Sequence, residues 1–146
     1  MRARQRLGDI LYDSFFQYAV NITFGTGLDT ITGTIPIQND ANFLAVHSMY
    51  ETGLANAGVL LLVNGGMLVQ LTDGGSNRIL SNIPVPATTL FGTAQRPYMW
   101  PMTHLFKANS LIGFQVTGLA AALAGITARF VIGGFKVPVA SGAAAL

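Results

Sequence analysis

The chain has 146 residues, of which 51% are apolar and only 10% charged, eight Lys/Arg against six Asp/Glu. A free-standing soluble domain carries about a quarter charged residues, so this chain is expected to hide part of its outside against copies of itself, a larger assembly or lipid. The absence of cysteine excludes disulfides, thiolate zinc sites and thiol catalysis together, and the length fits one domain that needs no staple.

Residues 1–14 read as a basic arm. Arg2, Arg4 and Arg6 supply three of the eight positive charges within six residues, in a chain whose formal net charge is +2. Such an arm is either a solvated, mobile terminus or a contact for an acidic protein surface; three charges give little phosphate affinity at cellular salt, so nucleic acid is not the expected partner. Asp9 and Asp13 follow the basic start where a secretory signal would have an apolar run, so no signal peptide is expected. Asn21-Ile22-Thr23, a glycosylation sequon, is read as chance for that reason.

From residue 16 the hydrophobic period is two. Phe16, Tyr18, Val20, Ile22 and Phe24 alternate with Gln17, Ala19, Asn21 and Thr23, the signature of a half-buried strand. A turn at residues 25–29 leads to a second alternating run, Ile31 to Ile37, which Pro36 assigns to a sheet edge or a strand end. Residues 43–50 are apolar on both faces, as in a central strand or one half-covered by a partner. Residues 59–63 predict a short strand and Asn64-Gly65 a hairpin turn. Residues 67–72 return, 73–77 turn, and 78–80 pair briefly. One or two helical turns are the alternative at 54–63 and at 119–123.

Residues 81–108 change character. Pro84, Pro86, Pro97 and Pro101 fall there with Phe91, Tyr98, Trp100 and Phe106, which predicts extended, non-helical chain and a long Pro/aromatic loop. Strands are expected again at 111–117 and 126–137, and residues 140–146 form a small-residue tail. About eight short strands, with turns every eight to twelve residues, predict an all-β antiparallel sandwich over residues 15–139, most simply a jelly roll. Two uncharged stretches of 21 residues, 52–72 and 108–128, reach membrane-spanning length, but polar residues and glycines interrupt both, so no membrane span is expected.

Catalytic and cofactor patterns are sparse. Asp73, Ser76 and His104 supply the residue types of a nucleophile triad without a flanking nucleophile motif, and Asp73 and Ser76 are more simply turn residues. His47 and His104 have no other histidine near in sequence and read as structural imidazoles, so no metal site is expected. Glu51 is the single glutamate, and no Gly-rich phosphate cradle precedes a helix. These readings predict no enzyme, no cofactor and no small-molecule substrate. What remains is surface. Tyr98, Met99, Trp100 and Met102 lie in a stretch stiffened by Pro97 and Pro101 that is either an interface or a long loop across the protein's own core, and Phe91 just upstream could belong to either. They form the candidate protein interface together with Phe43, Tyr50 and the three arginines of the arm.

A set of local patterns accompanies this surface. Leu71-Thr72-Asp73 with Arg78-Ile79-Leu80-Ser81-Asn82, then Val85-Pro86, Leu90-Phe91-Gly92, Arg96-Pro97-Tyr98, Pro101, Phe106, Asn109-Ser110 and the closing Gly133-Gly134-Phe135-Lys136-Val137 resemble small virion proteins of tailed bacteriophages. The resemblance covers about residues 68–137 and implies a jelly-roll cement, decoration or accessory protein. It further implies a virion location after assembly in a host cytoplasm, the major capsid protein and further copies of the chain (a homo-dimer or homo-trimer) as partners, and no catalysis. A tail, neck or spike component is the neighbouring expectation, and a carbohydrate-binding jelly roll using Trp100 and Tyr98 as a stacking platform is a different one.

Overall fold

Residues 15–54, 66–93 and 95–138 are described by the computed structural model. Nine strands are present among them: β1 (Phe15–Thr23), β2 (Thr30–Pro36), β3 (Ala41–Leu54), β4 (Met67–Asp73), β5 (Arg78–Ile79), β6 (Val85–Pro86), β7 (Tyr98–Phe106), β8 (Leu111–Gly118) and β9 (Ile126–Pro138). A four-residue helix, α1 (Ala87–Leu90), and a single 3-10 turn at Ala121–Leu123 complete them. The basic arm, the tail, and the strand and hairpin expected at 59–65 lie outside the described residues.

The pairing is that of a long hairpin wound on itself. β1 pairs with β9, β2 with β8, β3 with β7, and β4 with β5, every pair antiparallel. Cross-pairing of β3 with β9 and of β4 with β8 then closes two sheets, β1-β9-β3-β7 and β2-β8-β4-β5, with β6 beside β4. Nested pairing of eight strands over two facing antiparallel sheets is a jelly roll.

The alternating strands turn one face of each sheet inward. Phe24, Phe43, Phe91, Phe106, Phe114 and Phe130 are fully buried between the sheets. Phe130 is the centre of this aromatic packing. Phe91 meets it edge-on at 5.1 Å between ring centroids, Phe114 lies tilted at 5.9 Å and Tyr50 stacks at 6.0 Å. Each such pair contributes about 0.5–1.5 kcal/mol beyond its buried area.

β3 holds a bulge. Ala45 pairs with Gly134 of β9 and His47 with Gly133, so Val46 is an extra residue on β3. The burial phase flips there: Phe43 and Ala45 point inward before the bulge, Ser48, Tyr50 and Thr52 after it. This is the physical origin of a strand that reads as apolar on both faces.

The Pro-rich stretch is more regular than the sequence predicts. Pro86 starts α1, the Phe91 amide donates to the Ala87 carbonyl at 2.8 Å, and the turn delivers Phe91 into the core. Residues 98–106 form the edge strand β7. Between the pairs His47–Met99 and Ala45–His104, β7 advances five residues while β3 advances two. Trp100, Pro101, Met102 and Thr103 lie in that excursion, and an edge strand tolerates Pro101 because its missing N–H costs no ladder bond.

Candidate functional site

Register and alternation define what each sheet shows to the outside. On the β1-β9-β3-β7 sheet, one row across all four strands reads Phe15, Phe135, Leu44, Leu105. The next reads Gln17, Gly133, His47, Met99, and the third Ala19, Val131, Met49. Phe15, Met99 and Leu105 are 52%, 62% and 45% exposed. The Phe15 ring stacks on the His47 imidazole at 6.1 Å and meets Phe135 edge-on at the same distance. Burial among these groups pushes the His47 imidazole below its ordinary pKa, because a charged ring is disfavoured there. Charge enters only in the fourth row, Asn21, Arg129, Glu51, where Arg129 sits 3.6 Å from Glu51.

The other sheet presents a different outer face. Its rows read Thr30, Thr117, Leu68, Pro86, then Thr32, Gln115, Gln70, then Thr34, Gly113, Thr72, Ile79. Thr30 and Thr117 hydroxyls are 3.0 Å apart. One outer face is therefore uncharged over three rows and apolar apart from Gln17 and His47, the other mainly hydroxyl and amide. A contiguous exposed apolar face marks an interaction surface far more than scattered apolar residues do.

A second feature runs along the seam between the β7 and β5 edges. A groove of about 410 Å³ is lined there by Arg78, Tyr98, Trp100, Met102 and His104 among others. Trp100 is held from beneath: its indole N–H donates to the Ser48 hydroxyl at 2.8 Å, and that hydroxyl donates in turn to the Leu90 carbonyl. Beside the groove His104 Nε2 lies 2.8 Å from Asp73 Oδ2. Burial pushes the Asp73 carboxyl up, but hydrogen bonds from His104, Ser76 and the Gly75 amide outweigh it and hold the group below its ordinary range.

Asp73, Ser76 and His104 thus come together, in an arrangement unlike a nucleophile triad. The carboxylate can only accept, so Nε2 carries the proton and spends it on Asp73, and Ser76 also bonds Asp73 instead of the imidazole. Among the described residues no three His, Cys, Asp or Glu side chains gather as metal ligands.

The residues singled out as interface candidates divide into three groups. Phe43, Tyr50 and Phe91 are core residues, 0%, 5% and 1% exposed, because the alternation of β3 and the turn of α1 aim them inward. Tyr98, Met99, Trp100 and Met102 all lie on β7: Met99 on the apolar face, the other three along the groove, with Met102 82% exposed. Arg2, Arg4 and Arg6 lie outside the described residues. Sequence reasoning missed Phe15, Leu44, Leu105 and Phe135, which become one row only through the register of four strands. Searches of family models and of curated proteins give no match to this chain.

Proposed function

We propose that the chain is a non-enzymatic structural subunit of a virion, a jelly-roll cement protein that oligomerises and clamps neighbouring capsid subunits through the outer face of its β1-β9-β3-β7 sheet. The observation that supports this reading is the apolar row Phe15, Phe135, Leu44, Leu105 with His47 and Met99 beside it. Its mechanism is buried area. Removing apolar surface from water contributes about 25 cal/mol per Å², from which association entropy is subtracted. Many copies on one shell bind as a set, so a modest single contact suffices. Jelly rolls also build lectins, so the fold is compatible with this role without requiring it.

The test is co-sedimentation of the purified protein with capsids, with copy number from mass spectrometry of purified virions. Hundreds of copies support a cement protein, and about six or twelve point to a tail or neck position. A protein that stays in the supernatant at every ratio overturns the reading.

The groove favours one other reading, a carbohydrate-binding jelly roll. Tyr98 and Trp100 line it with Arg78, offering aromatic faces and a hydrogen-bond donor to a sugar. Glycan binding that is lost in Arg78→Ala, a residue on the exposed rim, would select it.

A further inference from the structure

The edges of the two sheets are not treated alike. A free strand edge is a template for another chain, and proteins block it with proline, bulges, charge or brevity. β7 carries Pro101 and its four-residue excursion. β5 and β6 have two residues each. β2 ends in Pro36. β1 has none of these devices: it runs nine residues, Phe-Phe-Gln-Tyr-Ala-Val-Asn-Ile-Thr, uncharged, without proline, in unbroken register with β9. Among the described residues no strand pairs with its other edge.

We propose that β1 pairs antiparallel with β1 of a second copy, joining two four-stranded sheets into one of eight strands. The strand suits itself. It brings no like charges together, and full overlap of nine residues places Ala19 on the two-fold axis, the smallest side chain where two copies meet head-on. Inward residues then oppose inward residues, as the side-chain period requires. Gln17 faces the partner's Asn21. The Asn21 Oδ1 already accepts from Arg129 Nε at 2.9 Å, which leaves the Asn21 amide N–H groups to donate to the Gln17 carbonyl.

The area is adequate. Strand rise and sheet separation make the flank carrying β1 and β2 roughly 30 Å by 20 Å, about 600 Å² per partner, which reaches the lower bound of roughly 1,200 Å² in total for a stable interface. The axis stands perpendicular to the joined sheet, so both apolar outer faces point the same way. The dimer does not depend on a virion role. Its consequence, two-handed docking on a shell, rests on the function proposed above.

The isolated protein tests the pairing. Sedimentation velocity is expected to give a dimer. Ala19→Lys, at an exposed position, sets two ammonium groups on the axis and is expected to raise the dimer dissociation constant at least about 100-fold with an unchanged circular dichroism spectrum. The chain has no cysteine, so Ala19→Cys gives a clean readout: directly opposed residues of an antiparallel pair lie within disulfide reach, and oxidation is expected to yield a covalent dimer that Met102→Cys does not. A wild-type monomer at every concentration overturns the proposal, as does a dimer that Ala19→Lys leaves intact. A wild-type dimer, sensitive to Ala19→Lys, that ignores capsids overturns the virion role and leaves the pairing standing.

Discussion

His104 and Asp73 join the two sheets: Nε2 of the first lies 2.8 Å from Oδ2 of the second, linking edge strand β7 of one sheet to the last residue of β4 in the other. Asp73 is almost fully buried, and its remaining bonds come from the Gly75 amide and Ser76. Removing one partner leaves the other without its bond in a poorly hydrated place. Asp73→Asn and His104→Ala are each expected to cost about 1–3 kcal/mol. A double-mutant cycle by urea denaturation is expected to show the two losses sharing one coupling term.

The same pair sets an acid limit. The Asp73 carboxyl has a folded-state pKa below its ordinary value of 3.8. The stability this contributes is present in full above that ordinary value and is lost as the pH falls through the depressed one. Denaturation midpoints measured from neutral to strongly acid solution are expected to fall more steeply for the wild type than for Asp73→Asn, the two curves converging at the acid end.

Ser48 is a buried hydroxyl with two partners, the Trp100 indole and the Leu90 carbonyl. Ser48→Ala strands both and is expected to lower stability by about 1–3 kcal/mol. Trp100 fluorescence is expected to shift to the red as the released ring meets water.

Gly134 and Gly125 separate two reasons for glycine. A β-carbon at Gly134 would overlap the Leu44 carbonyl oxygen, so Gly134→Ala is expected to break the β3–β9 pairing and cost about 4 kcal/mol or more. At Gly125 nothing lies within 4 Å but φ is +75°. Gly125→Ala is expected to cost only about 1–2 kcal/mol, the penalty of a left-handed backbone. Thermal denaturation of the two variants checks the order.

Neighbours on β3 face opposite ways. Phe43 is fully buried and pairs inward with Phe106, whereas Leu44 lies outward beside Phe135 and Leu105. Phe43→Asp is expected to prevent folding. Leu44→Asp is expected to fold with stability within about 1 kcal/mol of wild type and to fail in capsid co-sedimentation, which isolates the outer face from the fold.

The local signals carried much of this architecture and missed what depends on register. Period-two alternation placed β1, β2, β8 and β9 nearly to the residue, since each has one wet and one dry face, and the hairpin signal at Asn64-Gly65 placed β4. The apolar run at 43–50 identified β3 but not its bulge, because two half-strands of opposite phase sum to a strand with no phase. Proline hid β7, whose edge position is a tertiary fact. Eight strands were expected and the nested pairing uses eight, but with β7 among them, whereas the strand expected at 59–63 lies outside the described residues. Asp73 and His104 are 31 residues apart, and no short-range pattern announces their contact. The apolar row is legible only once four strands have been aligned.

The hydroxyl and amide rows of the β2-β8-β4-β5 sheet have a consequence of their own. No ionisable side chain stands in those rows, from Thr30 and Thr117 to Gln115 and Gln70. Their hydration therefore does not change with pH, and added salt has no charge there to screen. The sandwich is two-sided in its response to solvent: one broad face carries His47, Arg129 and Glu51, while the rows opposite hold no group that responds to acidity or ionic strength. An object covered by such molecules, apolar side down, would turn these uncharged hydroxyl and amide rows toward its surroundings.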